Sequence, residues 1–254
     1  MKHFVRKKEK NSQNIEIYGF HAVKAALSNN KRKHQKLILS QSHKNLNNHN
    51  VKKKVKEIVE LTNKEMFKLY GGENAHQGIV LITTNLNQPN INEILEKSNN
   101  NEIVIMLDQV TDPNNIGSIM RSCSLFNCKS IILPKDSAPN ITSSIAKAAS
   151  GALETVNYIK VTNLSRTIEK FKENDYWVCG LDNNKKNSNN IFEIPNKCLL
   201  IFGSESKGLR NLTRKKCDFI ITIPINSNKI FQIDSLNISN ACSIALYEHF
   251  KKFN

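Results

Sequence analysis

The most informative part of the sequence for the fold is residues 102–117, which read EIVIMLDQVTDPNNIG. Its first six residues include five apolar ones and predict a buried strand over residues 102–107. A polar loop follows, and apolar residues then recur at helical spacing over residues 116–127. A strand, a polar loop and a helix in this order are the repeating unit of α/β proteins.

The same alternation continues towards the C-terminus. Five further apolar runs predict strands at residues 130–133, 155–161, 176–181, 197–202 and 219–223. Helical spacing predicts helices at residues 141–149, 164–172, 212–216 and about 235–250. Six short apolar strands separated by helices favour a mostly parallel sheet covered on both faces. Residues 101–254 are therefore predicted to form one α/β domain.

The first third of the chain carries most of the positive charge. The whole chain has 37 Lys and Arg against 22 Asp and Glu, a net charge of +15. Residues 1–85 hold 17 of those basic side chains and six of the acidic ones, a net charge of +11. Such a charge favours a polyanionic partner, most often nucleic acid. The alternative is a Lys- and Asn-rich composition shared by the whole proteome, without any function.

A second, smaller α/β domain is predicted over residues 15–85. Its elements are a short extended piece from residue 15, a helix at 21–27, a strand at 36–39, a basic helix at 51–60 and a strand at 78–83. Residues 1–14 are expected to be a flexible basic tail. Residues 86–100 are predicted to be a linker with one short helix.

Several classes of protein are disfavoured by the sequence. No strand is followed by GxGxxG or GxxxxGK[ST], so the main signals of dinucleotide and nucleoside triphosphate binding are missing. The six cysteines form no C-x-x-C pair, which favours reduced thiols of a cytoplasmic protein without a metal site. No apolar run approaches the roughly 18 residues that cross a bilayer. We therefore expect a cytoplasmic protein without a membrane partner or a secretory signal.

Three polar loops at predicted strand ends are candidates for a functional site. The first contains Asp112-Pro113-Asn114-Asn115-Ile116-Gly117 and leads into a helix that carries Arg121. Asn115 is predicted to be the N-cap of that helix, with Arg121 more than one turn further on. A plain capped turn with an exposed arginine is the alternative. A plain capped turn would not need Asp112 and Asn114 on either side of Pro113 and then Asn115 as well.

The other two loops follow the strands predicted at 197–202 and 219–223. The second loop reads GSESKGL over residues 203–209 and has Glu205 as its only acid. A tight turn would explain its glycines but not Glu205. The third runs from Ile223 through a polar stretch to Ser235-Leu236-Asn237, before the last helix. Ser235 or Asn237 could simply cap that helix, although one cap does not need the whole polar triple.

Taken together, the three loops resemble the motifs of the SpoU/TrmH-type RNA ribose methyltransferases of the SPOUT (α/β-knot) superfamily. The motif D-P-x-N-x-G followed by R corresponds to residues 112–117 and Arg121. The motif G-[SAN]-E-x-x-G-[LMI] corresponds to residues 203–209, and I-P-M…S-L-N-V-S to residues 223–225 and 235–239. Residues 17–80 are similar to the L30e-like substrate-binding domain of the bacterial enzymes that methylate a guanosine ribose of large-subunit rRNA.

The resemblance covers roughly residues 15–252 and implies both fold and activity. It implies a small L30e-like α/β domain followed by a trefoil-knotted SPOUT domain, one of the rare exceptions to unknotted connections. It also implies a homodimer that transfers a methyl group from S-adenosyl-L-methionine to a ribose 2′-hydroxyl of RNA, with a guanosine of 23S rRNA as the leading substrate. Two alternatives remain open, a tRNA substrate and a catalytically inactive RNA-binding knot protein.

The resemblance also assigns roles to individual residues. Backbone groups of three residues are expected to hold the adenine and ribose of the cofactor: Gly203, Ile223 and Leu236. Arg121 is expected to hold the phosphate beside the target hydroxyl or to act as a base. Since arginine is almost always protonated, the phosphate role is favoured. Four polar residues are expected to orient Arg121 and the hydroxyl: Asn115, Glu205, Ser235 and Asn237.

One loop departs from the family pattern. Ten residues, 225–234, separate Pro224 from Ser235, where family members usually have a shorter loop with a glycine; here the loop contains none. Because insertions in loops cost little free energy, we expect the site to survive.

Overall fold

A computed structural model of the chain describes residues 14–72, 76–182, 193–204, 208–225 and 235–253. Two compact units can be distinguished within them. The N-terminal unit consists of the described part of residues 1–87 together with residues 141–154, and the C-terminal unit consists of the described part of residues 88–140 and 155–254. The predicted tail lies outside the described residues except for Asn14, which belongs to the first strand.

The N-terminal unit contains a four-stranded sheet. Its strands are β1 (Asn14–Tyr18), β2 (His34–Ser40), β3 (Val55–Leu61) and β4 (Ile79–Thr84). They lie in the order β1-β4-β2-β3, with β4 antiparallel to both neighbours and β2 parallel to β3. The helices along this part of the chain are α1 (Phe20–Ser28), α2 (His49–Lys52) and α3 (Asn63–Tyr70).

The C-terminal unit contains a six-stranded sheet in which every neighbouring pair of strands is parallel. Its strands are β5 (Ile103–Leu107), β6 (Ser130–Pro134), β7 (Asn157–Val161), β8 (Trp177–Leu181), β9 (Cys198–Phe202) and β10 (Phe219–Ile221). The strand order is β10-β8-β9-β5-β6-β7. The helices along residues 88–254 are α4 (Ile91–Glu96), α5 (Pro113–Leu125), α6 (Ser143–Ala149), α7 (Leu164–Lys172), α8 (Asn211–Lys216) and α9 (Ile238–Phe253). All of them belong to the C-terminal unit except α6, which belongs to the N-terminal unit.

The predicted parallel α/β sheet is confirmed. Every residue of the central strands β5 and β9 is buried, as a sheet covered on both faces requires. Side chains alternate between the two faces along a strand. Val104 and Met106 of β5 therefore share one face, where they belong to a cluster with Ile168 and Phe171 of α7. The implied knot involves loop residues outside the described ones, so it stays a prediction.

The helix predicted over residues 51–60 is wrong. Helix α2 ends at Lys52, and residues 55–61 form β3 beside β2. The β-branched residues Val55, Ile58 and Val59 favour a strand, because their side chains fit the pleated surface of a sheet. Val59 packs against the core cluster that contains Ile38. This packing outweighs the helical preference of the neighbouring lysines.

Residues 141–154, which the sequence places within the 101–254 domain, pack within the N-terminal unit. Glu154 accepts hydrogen bonds from Arg32 Nε at 2.8 and 3.0 Å and from Asn29 Nδ2 at 2.7 Å. The side chains of Arg32 and Glu154 are only 2% and 9% exposed. Loss of either partner would leave an uncompensated buried charge, so this ion pair holds residues 141–154 in the unit.

Most of the cysteine thiols are buried. All six cysteines are free, and five of them are buried. Burial raises the pKa of the Cys123 and Cys198 thiols well above the usual value, so both stay protonated and unreactive. Across the described ranges, no helix is both long and apolar enough to cross a membrane.

Candidate active site

The three motif loops follow strands of the same parallel sheet. Because parallel strands all end at one edge, the loops after β5, β9 and β10 lie along that edge. Strands β5 and β9 are neighbours, and β8 separates β9 from β10. The carboxyl edge of the sheet therefore collects residues that are far apart in the chain.

The first loop is capped by Asp112, which corrects the prediction that Asn115 is the N-cap. Asp112 Oδ2 accepts a hydrogen bond from the Asn115 backbone N–H at 2.9 Å, and Pro113 is the first residue of α5. Proline suits this position because its missing N–H would have no helical partner there. Asn115 is the third residue of the helix, so its side chain is available for other contacts.

The first and third motifs meet through two asparagine side chains. Asn237 Nδ2 donates a hydrogen bond to Asn115 Oδ1 at 3.0 Å. Asn237 Oδ1 in turn accepts from the Ser239 backbone N–H at 2.9 Å and from Ser239 Oγ at 2.6 Å, at the start of α9. The Asn237 amide is thus fixed by its own helix, and it fixes the Asn115 amide.

Helices α5 and α9 run side by side in the same direction. Beyond the two asparagines, Ser122 Oγ and Ser243 Oγ are 2.7 Å apart, and the rings of Phe126 and Tyr247 are 5.9 Å apart. Arg121 precedes Ser122 on α5 and is exposed. It forms no hydrogen bond or ion pair with any residue that the structure describes. Helix α5 thus presents an exposed guanidinium group, which suits a phosphate.

A buried carboxylate, which the sequence did not identify, lies directly after β5. Asp108 is 1% exposed, and its Oδ2 accepts hydrogen bonds from Arg210 Nε at 2.9 Å and from Thr213 Oγ1 at 2.7 Å. Arg210 Nη2 lies 2.7 Å from Oδ1, without hydrogen-bond geometry. The contacts tie the first loop to α8, which follows the second loop. The sequence feature that could have identified Asp108 is an acidic residue directly after an apolar strand.

The second loop is a tight turn that closes on itself. Ser204 N–H donates to the Gly208 carbonyl oxygen at 3.1 Å, and Gly208 N–H donates to the Ser204 carbonyl oxygen at 2.8 Å. A Cβ on Gly203 would lie 2.0 Å from the carbonyl carbon of Gly208, and Gly208 has a φ of +63°. The closure of the turn thus accounts for both glycines. Glu205 lies outside the described residues.

The third motif begins beside β8. Ile223 is buried, and the preceding Thr222 donates from Oγ1 to the Asp182 carbonyl oxygen at 2.8 Å. The Asp182 carboxylate forms an ion pair with Arg214 of α8. At the other end of the motif, Ser235 is exposed and Leu236 is half-buried. Residues 226–234, most of the long loop, lie outside the described residues.

The described residues do not form a metal centre. No group of three or more His, Cys, Asp and Glu side chains among them could hold a metal ion. The two acids at the carboxyl edge, Asp108 and Asp182, are engaged by Arg210 and Arg214. Among the described residues of this edge, the polar groups that could bind a ligand are therefore amides, backbone groups and the exposed Arg121.

Two family profiles match the chain. The profile of the SpoU rRNA methylase family matches residues 102–247. A profile described as RNA 2′-O ribose methyltransferase substrate binding matches residues 17–89. Together they span both parts of the chain.

Individual proteins match over nearly the whole length. The chain is 33% identical over 239 residues to the 23S rRNA (guanosine-2′-O-)-methyltransferase RlmB of Coxiella burnetii, covering 91% of this chain and 93% of that protein. It is 30% identical over 243 residues to RlmB of Neisseria meningitidis serogroup B, with the same coverage of both chains.

Among solved structures, the fold is similar to that of the SpoU methyltransferase AviRb from Streptomyces viridochromogenes in complex with the cofactor AdoMet. The TM-score is 0.76 at 18% identity, and the match covers 98% of this chain and 94% of AviRb. At this identity the match supports the fold alone.

Proposed function

The chain belongs to the SpoU rRNA methylase family, and from this membership we propose that it transfers a methyl group from S-adenosyl-L-methionine to a ribose 2′-hydroxyl of rRNA. The observation that carries the proposal is the hydrogen bond between Asn237 and Asn115, which joins two motifs at the start of the helix that carries the exposed Arg121. The RlmB relatives favour a guanosine of 23S rRNA over a tRNA nucleotide. An enzyme with this substrate works in the cytoplasm.

The residues at the carboxyl edge fit the cofactor. Gly203 is buried where the turn closes, Ile223 is buried, and Leu236 is half-buried. These residues offer backbone groups in apolar surroundings, which suits an adenine ring and its ribose. When bound, S-adenosyl-L-methionine supplies a methyl group activated by the attached sulfonium. We assign Gly203, Ile223 and Leu236 to hold it.

The chemical problem is the ribose hydroxyl, whose pKa lies far above neutrality. A group at the site must therefore remove or share its proton during methyl transfer. Arg121 lies on α5, and the residue after it, Ser122, contacts Ser243 of α9. The position of Arg121 is therefore fixed by helix packing, and its guanidinium can bind the phosphate next to the target ribose. We assign the linked amides of Asn115 and Asn237, with Ser235 and Glu205, to orient the hydroxyl and the phosphate held by Arg121 once RNA is bound. Much of the rate acceleration comes from this positioning.

The N-terminal unit supplies affinity for RNA. It matches the substrate-binding profile over residues 17–89, and residues 1–85 carry a net charge of +11. A chain truncated near residue 95 would be a poor test, because Glu154 would lose Arg32 and Asn29. Substitutions in the full-length chain separate RNA affinity from folding.

The active form is a homodimer. Three large apolar side chains are exposed on α5 and α9, namely Leu125, Ile244 and Tyr247. An apolar surface on two packed helices is typical of a protein interface. Since Arg121 lies on the same helix as Leu125, the interface would also rigidify the helix that carries the site. The trefoil knot, which the family implies, remains part of the proposal.

The decisive variant is Arg121→Ala. We expect it to abolish methyl transfer to 23S rRNA with an unchanged circular dichroism spectrum, because the exposed guanidinium stabilises nothing within the described residues. Arg121→Lys keeps the positive charge but loses the bidentate hydrogen bonding of a guanidinium to a phosphate, so it should retain partial activity. Methylation is measured with radiolabelled S-adenosyl-L-methionine and an unmodified 23S transcript. Near-normal turnover by Arg121→Ala would remove Arg121 from the mechanism.

The substrate is identified by mapping ribose methylation in total RNA from cells with and without the gene. We expect one guanosine of 23S rRNA to lose its 2′-O-methyl group in the deletion strain. Loss of a tRNA methylation instead would establish the alternative substrate. An unchanged methylation pattern would favour a catalytically inactive RNA-binding protein.

A further inference from the structure

Helix α3 presents an exposed aromatic ring beside two exposed lysines. Phe67 is 66% exposed, and both Lys64 and Lys68 are exposed. Residues three and four positions apart lie on the same face of a helix, so Lys64 is next to both Phe67 and Lys68. We call these three residues the α3 platform.

The helix beneath the platform is firmly anchored. Met66 is 1% exposed and belongs to a core cluster with Ile38 and Val80 of the sheet. Tyr70 packs against this cluster, and its ring meets that of Tyr18 edge-on with centroids 5.8 Å apart. Because the buried side of α3 is fixed, Phe67 is held outward on a rigid element.

The lysines of the platform are not neutralised within the described residues. Glu65 is the only acid of α3, and its carboxylate accepts hydrogen bonds from Thr62 N–H at 2.8 Å and Thr62 Oγ1 at 2.7 Å. These bonds lower the pKa of Glu65 and keep it in the N-terminal cap. Neither Lys64 nor Lys68 forms an ion pair with any described residue.

The surroundings of Phe67 distinguish it from a randomly exposed apolar residue. Single exposed hydrophobic residues are common and need no explanation. In the described part of the N-terminal unit, however, Phe67 is the one large hydrophobic side chain that is fully on the surface. The exposed residues next to it on the helix include two cations, whereas a contiguous apolar patch would mark a protein interface. An aromatic ring next to positive charges suits a single strand, in which a base can stack on the ring while the lysines hold phosphates.

We propose that the α3 platform is an RNA contact in which Phe67 stacks on an unpaired base while Lys64 and Lys68 contact phosphates of the same strand. The inference rests on the proposed function and locates one RNA contact of the N-terminal unit. An unpaired base is required because bases within an RNA helix do not expose their faces to side chains. The platform lies in the N-terminal unit and Arg121 in the C-terminal unit. Stacking and phosphate contacts hold the RNA, so the platform contributes to binding and not to the chemical step.

The test measures binding of the full-length protein to an unmodified 23S rRNA transcript by filter retention at several salt concentrations. Stacking of one base on an aromatic side chain contributes roughly 1–3 kcal/mol, so Phe67→Ala should raise the Kd by roughly 5- to 150-fold. Phe67→Trp should bind within a few-fold of wild type. Lys64→Gln with Lys68→Gln should lower the slope of log Kd against log salt by about 1.4, since each phosphate contact on a single strand contributes about 0.7.

A matched control removes two exposed lysines of the C-terminal unit, Lys129→Gln with Lys251→Gln. That variant should keep the wild-type salt slope. A Kd of Phe67→Ala within twofold of wild type, or an equal loss of salt slope in the control, overturns the inference. A change of oligomeric state in Phe67→Ala would instead assign the ring to a protein interface and overturn it too.

The two proposals fail in different ways. If wild-type protein neither binds nor methylates the transcript, the proposed function fails. If wild-type protein is active and Phe67→Ala is indistinguishable from it, only the α3 platform fails. The kcat of Phe67→Ala at saturating RNA should equal that of wild type, and a fall in kcat with unchanged affinity would contradict a role in binding.

Discussion

Replacing Arg210 with alanine should destabilise the C-terminal unit, because the substitution leaves a buried charge without its partner. The Asp108 side chain is completely buried, and Arg210 supplies one hydrogen bond at 2.9 Å and a second close contact at 2.7 Å. Only the hydrogen bond from Thr213 Oγ1, at 2.7 Å, would remain. A carboxylate that loses its cation in a buried site is strongly unfavourable.

The expected loss follows from the exposure of the two partners. Removal of one partner from a fully buried ion pair costs about 3–5 kcal/mol. The Arg210 side chain is 48% exposed, so solvent already screens part of the interaction. We therefore expect Arg210→Ala to lower the free energy of unfolding by about 2–3 kcal/mol. Arg210→Lys should lose less, since it retains the charge.

The double variant tests whether the loss belongs to this pair. In Asp108→Ala with Arg210→Ala, no buried charge is left, although Thr213 Oγ1 loses its acceptor. The two single losses should therefore sum to more than the loss of the double variant, by about 1–3 kcal/mol, as is usual for directly interacting residues.

The chain provides its own probe for this measurement. Trp177 is the only tryptophan and lies on β8 of the C-terminal unit. Urea unfolding followed by tryptophan fluorescence therefore reports on this unit. A loss below about 0.5 kcal/mol in Arg210→Ala, or an additive cycle, would refute the reasoning. Either result would mean that Asp108 does not depend on Arg210.

Two further predictions concern α9. Tyr247→Asp places a charge on the exposed apolar surface, so analytical ultracentrifugation should show a monomer where the wild type is a dimer; a dimeric variant would contradict the proposed interface. Burial lowers the pKa of His249 below 6.5. The folded state therefore binds fewer protons than the unfolded state below about pH 6.5, and stability should fall as the pH decreases through that range. Urea midpoints from Trp177 fluorescence should fall less between pH 7 and 5.5 in His249→Gln, and an equal fall would show that other groups are responsible.

Local sequence was sufficient for the architecture of the C-terminal unit. The segments that form β5 and β9 are continuously apolar because both faces of a parallel sheet are covered. A continuous apolar run therefore predicts both the strand and its burial. The motif residues Asn115, Arg121 and Asn237 were also recognisable, since each motif lies within a few consecutive residues. Local preference failed over residues 51–60, where lysines suggest a helix and the neighbouring strand β2 imposes a strand.

Contacts between distant residues were decided by the tertiary structure alone. Asn115 and Asn237 are 122 positions apart, Asp108 and Arg210 are 102 apart, and Arg32 and Glu154 are 122 apart. No periodicity or propensity connects such residues, because their approach depends on how strands and helices pack. For the same reason, residues 141–154 follow a strand of one unit and pack in the other. The sequence therefore identifies which residue types occur at the site, whereas only the tertiary structure determines which of them contact each other.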